Sequence, residues 1–134
     1  ADRLIAGGKH PVRVRGSFVI AGMIVCAAVL PLVTIAHHGL AMAFLIAAFI
    51  AMGVYSANVW AMTQTLAGPQ LAGTWTGLQN AAGNMGGVIA PVITGLVVRD
   101  TGSFFWAFVA SALFLLLGVA VYVFGLREQR YFRS

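Results

Sequence analysis

The side chains best able to do chemistry in this sequence are neutral: Asn80, Asn84 and Gln79, with Thr74 and Thr76 close by. At about 100° per residue, Asn80 and Asn84 fall roughly 40° apart on one helical face, with Gly73, Gly77 and Gly87 near the same direction. Leu78, Met85 and Ile89 point away, as lipid-facing residues do. An amide at such a position can hydrogen-bond a carboxylate or hydroxyl of a ligand. It can equally act as interhelical glue, for about 0.6 kcal/mol. A second group, Ser56, Trp60 and Thr63, falls within about 60°, with Gln64 just beyond. Trp60 serves there either as a stacking wall for a ligand or as an interfacial anchor, whereas Asn58 points elsewhere and reads as structural.

Other chemistries find no support. His37 and His38 are adjacent on a short link with no Cys, Asp or Glu beside them, which is a poor metal set. One thiol, Cys26, cannot form an internal disulfide. No catalytic triad, carboxylate pair, phosphate loop or dinucleotide fingerprint occurs, so the expectation is no enzyme, no metal and no cofactor.

The elements that must carry these residues follow from charge. The 134 residues are 60% hydrophobic and 8% charged, against roughly 25% charged in soluble domains, and residues 16–98 hold no Asp, Glu, Lys or Arg. Such a stretch belongs in lipid or deep inside protein. The expected architecture is all-α and polytopic. A loop over 1–15 precedes transmembrane helices over about 16–36, 40–66, 71–98 and 104–126, each long enough to cross a hydrocarbon core of about 30 Å, and a short tail follows. Pro69 in Gly68-Pro69-Gln70 stops the second helix, and the polar run 99–103 makes a turn before the fourth.

Four crossings put both termini on one side of the membrane. Seven of the eight basic residues, Arg3, Lys9, Arg13, Arg15, Arg127, Arg130 and Arg133, then share that side, with Arg99 alone opposite. The positive-inside rule makes it the cytoplasmic side of the inner (plasma) membrane. Phe104, Phe105 and Trp106 fall at the outer interface, Tyr131 and Phe132 at the inner one. The net charge of +5 sits at the two ends and forms no stripe for nucleic acid. The third helix carries Gly73-xxx-Gly77 and Gly83-xxx-Gly87, spacings that admit a close neighbour, and Pro91 marks a kink. The leucine-rich fourth helix looks like an ordinary lipid-facing anchor.

Three segments together resemble the major facilitator superfamily, in particular its anion:cation symporter branch of organic-anion transporters. They are the loop Ala1-Asp2-Arg3-Leu4-Ile5-Ala6-Gly7-Gly8-Lys9, the helix ending in Trp60, and Gly77-Leu78-Gln79-Asn80-Ala81-Ala82-Gly83-Asn84-Met85-Gly86-Gly87-Val88-Ile89-Ala90-Pro91-Val92-Ile93-Thr94-Gly95. The last of these is the most specific. The resemblance implies helices nine to twelve of a twelve-helix fold. The match starts inside a loop motif and without an initiator methionine, so it also implies a C-terminal fragment whose N-terminal part is missing.

By that resemblance the protein moves a small organic anion, a sugar acid or related carboxylate, by alternating access, coupled to a proton or other cation. Substrate contacts fall on Asn80 and Trp60, with Ser56, Gln79 and Asn84 behind them, and Asp2 and Arg3 belong to a cytoplasmic gating loop. Coupling needs a group that titrates within the membrane, and residues 16–98 carry no carboxylate. Those carboxylates and the main cationic clamp are therefore expected in the missing part. The competing expectation is a self-contained four-helix membrane assembly subunit without transport activity.

Overall fold

Pro11 opens the first helix. It stands in the first turn, where a missing amide proton costs nothing, and α1 runs Pro11–Val29 in the computed structural model of the chain. The description covers residues 1, 5–8 and 10–131, without the side chains of 128–131. Asp2 and Arg3, the expected gating pair, lie outside it, as do Lys9, Phe132 and Arg133. The described residues are all-helical outside short links: α1 is followed by the single turn α2 (Leu32–Ile35), α3 (His38–Thr101) and α4 (Phe104–Tyr131). Among the described residues three stretches are long and apolar enough to cross a membrane: Pro11–Ile35, His38–Thr101 and Phe104–Arg127.

Several boundaries differ from expectation. The first helix begins at Pro11 rather than Gly16, so Arg13 and Arg15 are helical. Long cationic side chains can lay their stems along apolar surface and keep the head in water, which lets a helix carry them at its end. It stops at Val29 because Pro31 interrupts the backbone ladder, and the chain resumes as one turn. The stretches expected as separate helices over 40–66 and 71–98 form one 64-residue helical run, broken only at Gly68 (φ 72, ψ 171). Only glycine takes that backbone without strain. Pro69 follows as the first residue of a new turn, so helix resumes with no loop between.

The polar run 99–103 is likewise mostly helix. Gly102, in the left-handed conformation (φ 68), closes α3 by donating its N–H to the Val98 carbonyl at 2.8 Å. Ser103 then caps α4, its Oγ accepting from the Phe105 N–H at 3.2 Å. The link between these helices is two residues.

α1 is the centre of the packed part. It runs antiparallel to the first half of α3: Gly22 sits against Ala51 and Tyr55, and the Cys26 thiol donates to the Ala48 carbonyl at 3.3 Å. It is antiparallel to α4 as well, with Gly16 against Leu126 and Gly118 against Met23. Small residues at these crossings bring the backbones close. A Cβ on Gly22 would stand 2.8 Å from the Tyr55 Cβ and 2.9 Å from the Ala51 oxygen. Val19, fully buried, lies midway along α1. Beyond the α1 contact, α4 turns Leu113, Phe114, Leu117 and Phe124 outward, which agrees with a lipid-facing anchor.

This register fixes the ends. Arg15 reaches α3 at Ala61 and Thr65, so Gly68 lies at the end of the bundle that carries the basic residues. Leu126 lies at that end too, and Phe104, 22 residues earlier, is about 33 Å away along its helix. The segment 69–101 therefore starts at one end of the bundle and finishes at the other.

Candidate functional site

The two candidate groups lie on the two halves of α3, either side of Gly68. In the first half, Ala48, Ala51, Tyr55 and Met62 form the side turned to α1. Trp60 lies about 180° from Ala51, and Ser56 and Thr63 about 120–140° from it. The polar, aromatic face is thus the one α1 leaves uncovered, and Ser56, Trp60 and Thr63 are half-buried. Thr63 Oγ1 donates to its own helix at the Val59 carbonyl (3.1 Å). Asn58 Nδ2 likewise donates to the Val54 carbonyl (2.8 Å), an intrahelical bond that accounts for this residue without a ligand.

The second half is divided into sectors. Ala72, Thr76, Gln79, Thr94, Val97 and Val98 are its part-buried residues, and all but Val98, near the far end, lie within about 60° of the Gln79 direction. Asn80, Gly73, Pro91 and Asn84 follow at about 100–140° from Gln79. The exposed apolar residues Leu71, Leu78, Met85, Ile89 and Leu96 occupy the other flank, about 80–120° the opposite way. Residues 80–93 are exposed throughout. Within the described residues nothing approaches the Cβ positions of Gly73, Gly77, Gly83, Gly86, Gly87 or Gly95 within 4 Å.

Asn80, Asn84, Ser56 and Trp60 take part in no side-chain hydrogen bond among the described residues, so their polar atoms are not committed to holding this packing together. Gln79 differs. Its Oε1 is shut off from solvent and accepts no hydrogen bond. A buried acceptor left in that state costs about 1–3 kcal/mol. No group of three or more potential metal ligands occurs among the described residues.

Arg15 contributes something its position in the sequence does not reveal. Its Nη1 donates to the Ala61 carbonyl at 2.8 Å and to Thr65 Oγ1 at 3.1 Å, placing a cation at the C-terminal turn of the first half of α3, where the helix dipole favours it. Sequence reasoning counts Arg15 only as charge. Its partners lie 46 and 50 residues away, and only the antiparallel register brings them together.

Comparison with known proteins finds similar sequences among sugar-acid transporters. The chain is 27% identical over 128 residues to the probable L-galactonate transporter of Escherichia coli K12, covering 95% of this chain and 28% of that protein. It is 32% identical over 80 residues to the probable galactarate/D-glucarate transporter GudP of the same organism, covering 60% of this chain and 18% of the relative. The chain thus spans under a third of the length of either. No family model matches it, and no solved structure does. Both relatives are named as probable transporters of sugar acids, and a likeness that runs over nearly the whole chain accords with the family resemblance of its motifs.

Proposed function

We propose that this chain is part of a secondary active transporter that carries a sugar acid or related carboxylate across the inner membrane by alternating access, coupled to a proton or other cation. The likeness to two sugar-acid transporters, one of them matched over 95% of the chain, carries this reading. The uncommitted amides and indole on uncovered sides of α3 support it. In this reading α3 crosses the membrane twice. Its 64 residues would extend about 96 Å as one straight rod, three times a hydrocarbon core of about 30 Å. The break at Gly68 falls at the basic end, as a turn between two crossings must. Four crossings then leave both termini cytoplasmic, with Arg13, Arg15 and Arg127 inside and Arg99 outside.

Asn80 donates its amide to a ligand carboxylate or hydroxyl, Trp60 covers the apolar face of the sugar-acid carbon chain, and Gln79, Asn84 and Ser56 complete the polar lining. Rocking of two half-domains around a central ligand requires helices that slide on one another, and the open glycines of 73–95 supply a surface with few side-chain obstructions. The titrating carboxylates and the cationic clamp belong to the rest of the longer protein, since residues 16–98 carry no charge. Transport needs no enzyme chemistry from this chain. A self-contained assembly subunit is not favoured, because its relatives are carriers more than three times its length.

The test is uptake of radiolabelled galactonate, galactarate and glucarate by cells expressing the full-length protein. Wild type should accumulate at least one of them, and Asn80→Ala should lower kcat/KM roughly tenfold, the cost of one ligand hydrogen bond to a charged group. Unchanged kinetics would remove Asn80 from the site, and no uptake of any sugar acid would overturn the substrate class.

A further inference from the structure

Away from the candidate substrate face, a groove of about 220 Å³ opens between α1, α3 and α4. Its walls include Val12 of α1, Met62 and Leu66 of α3, and Val121, Tyr122 and Leu126 of α4. They are almost entirely hydrocarbon, with the Tyr122 hydroxyl the one side-chain polar atom. The groove lies at the basic end of the bundle. Arg15 touches Ala61 and Thr65, each next in sequence to a groove residue, while the exposed Arg13 and Arg127 directly follow Val12 and Leu126. Even with Glu128 counted, this end carries net positive charge, and the Arg99–Asp100 ion pair belongs to the far end.

We infer that this groove is a binding site for an anionic phospholipid of the leaflet at the basic end, with one acyl chain between α1, α3 and α4 and the phosphate among Arg13, Arg15 and Arg127. Charge complementarity selects this occupant. An apolar slot alone accepts the chain of any lipid, but basic pockets between membrane helices favour negative headgroups. Arginine heads on flexible stems reach the headgroup level while their methylenes stay on apolar surface. Arg15 already bridges α1 and α3, so a lipid phosphate beside it would tie α4 to the same point. The site depends on membrane embedding alone and stands or falls separately from the transport reading.

The test uses the purified full-length protein in nanodiscs of phosphatidylcholine doped with either photoactivatable phosphatidylglycerol or photoactivatable phosphatidylcholine, the crosslinked peptides being mapped by mass spectrometry. Phosphatidylglycerol should label the Tyr122–Leu126 stretch in preference to phosphatidylcholine. The double variant Arg13→Gln, Arg127→Gln should lose that preference by at least roughly tenfold, about fivefold per arginine at a membrane surface. Gly125 lines the groove, and a Cβ there meets nothing within 4 Å. Gly125→Leu should therefore fill the slot and lower labelling with the arginines intact, its monodisperse elution reporting that it folds. Equal labelling by the two lipids, labelling untouched by both variants, or no labelling at the groove because another helix covers it would each overturn the inference.

Discussion

Gly22 and Gly77 are both interior helix glycines, and their surroundings are opposite. Around Gly22 the neighbouring helix is so close that a methyl group would collide with it; around Gly77 there is open space to 4 Å. The contrast extends to the regions they stand for. α1, the first half of α3 and α4 satisfy one another through small-residue crossings, whereas 69–101 carries six such open glycines and two uncommitted asparagines on sides that no helix covers among the described residues. Glycine in a helix costs about 1 kcal/mol relative to alanine. In the packed region close approach offsets that cost, and in the open region nothing described does. In the proposed reading the open face is the one that a further partner, protein or ligand, completes.

The largest effect should come from closing the gap at Gly22. Gly22→Ala forces overpacking and should destabilise the full-length protein by about 1–3 kcal/mol, read as a lowered thermal midpoint in detergent. Gly77→Ala is the matched variant. Judged on the described contacts alone it should stabilise by up to about 1 kcal/mol through helix propensity, so a loss of stability or uptake would reveal the partner helix directly.

Next is Gly68→Ala, where a Cβ at φ 72, ψ 171 costs about 1–3 kcal/mol and should lower the same midpoint without touching any packing contact. Arg15→Gln removes a cation from the Ala61 and Thr65 oxygens, and about 1 kcal/mol is expected for a partly exposed charged hydrogen bond. The smallest effect belongs to Leu113→Ala, at 62% exposure on α4, with a shift within about 0.5 kcal/mol. A large loss there would mean that α4 faces protein rather than lipid.

Much of this was legible from charge. The absence of Asp, Glu, Lys and Arg over 16–98 gives an apolar helical protein without any periodicity argument, and Gly68-Pro69 marks the break where it occurs. The ends were harder. A charge-based reading cuts the first helix at Arg15, while the backbone needs only Pro11 in the first turn, and an arginine at a helix end can keep its head in water. The polar run 99–103 reads as a turn by composition, yet Thr101 Oγ1 bonds the Val97 carbonyl (2.6 Å) and the helix persists until Gly102. At the site, the angular grouping of Asn80 with Asn84 and of Ser56 with Trp60 follows from helical geometry alone. Which side of the first half packs inward does not, because it depends on the Gly22–Ala51 crossing between residues far apart in sequence. The buried Gln79 oxygen has no sequence signal.

The most direct test of the central claim, that the Asn80 side of α3 borders a watery ligand cavity, is thiol accessibility in the full-length protein with other reactive cysteines removed. Asn80→Cys should react with a membrane-impermeant maleimide and be protected by excess galactonate or galactarate, while Leu78→Cys and Met85→Cys stay unreactive in the bilayer. A silent Asn80→Cys beside a reactive Leu78→Cys would contradict the account.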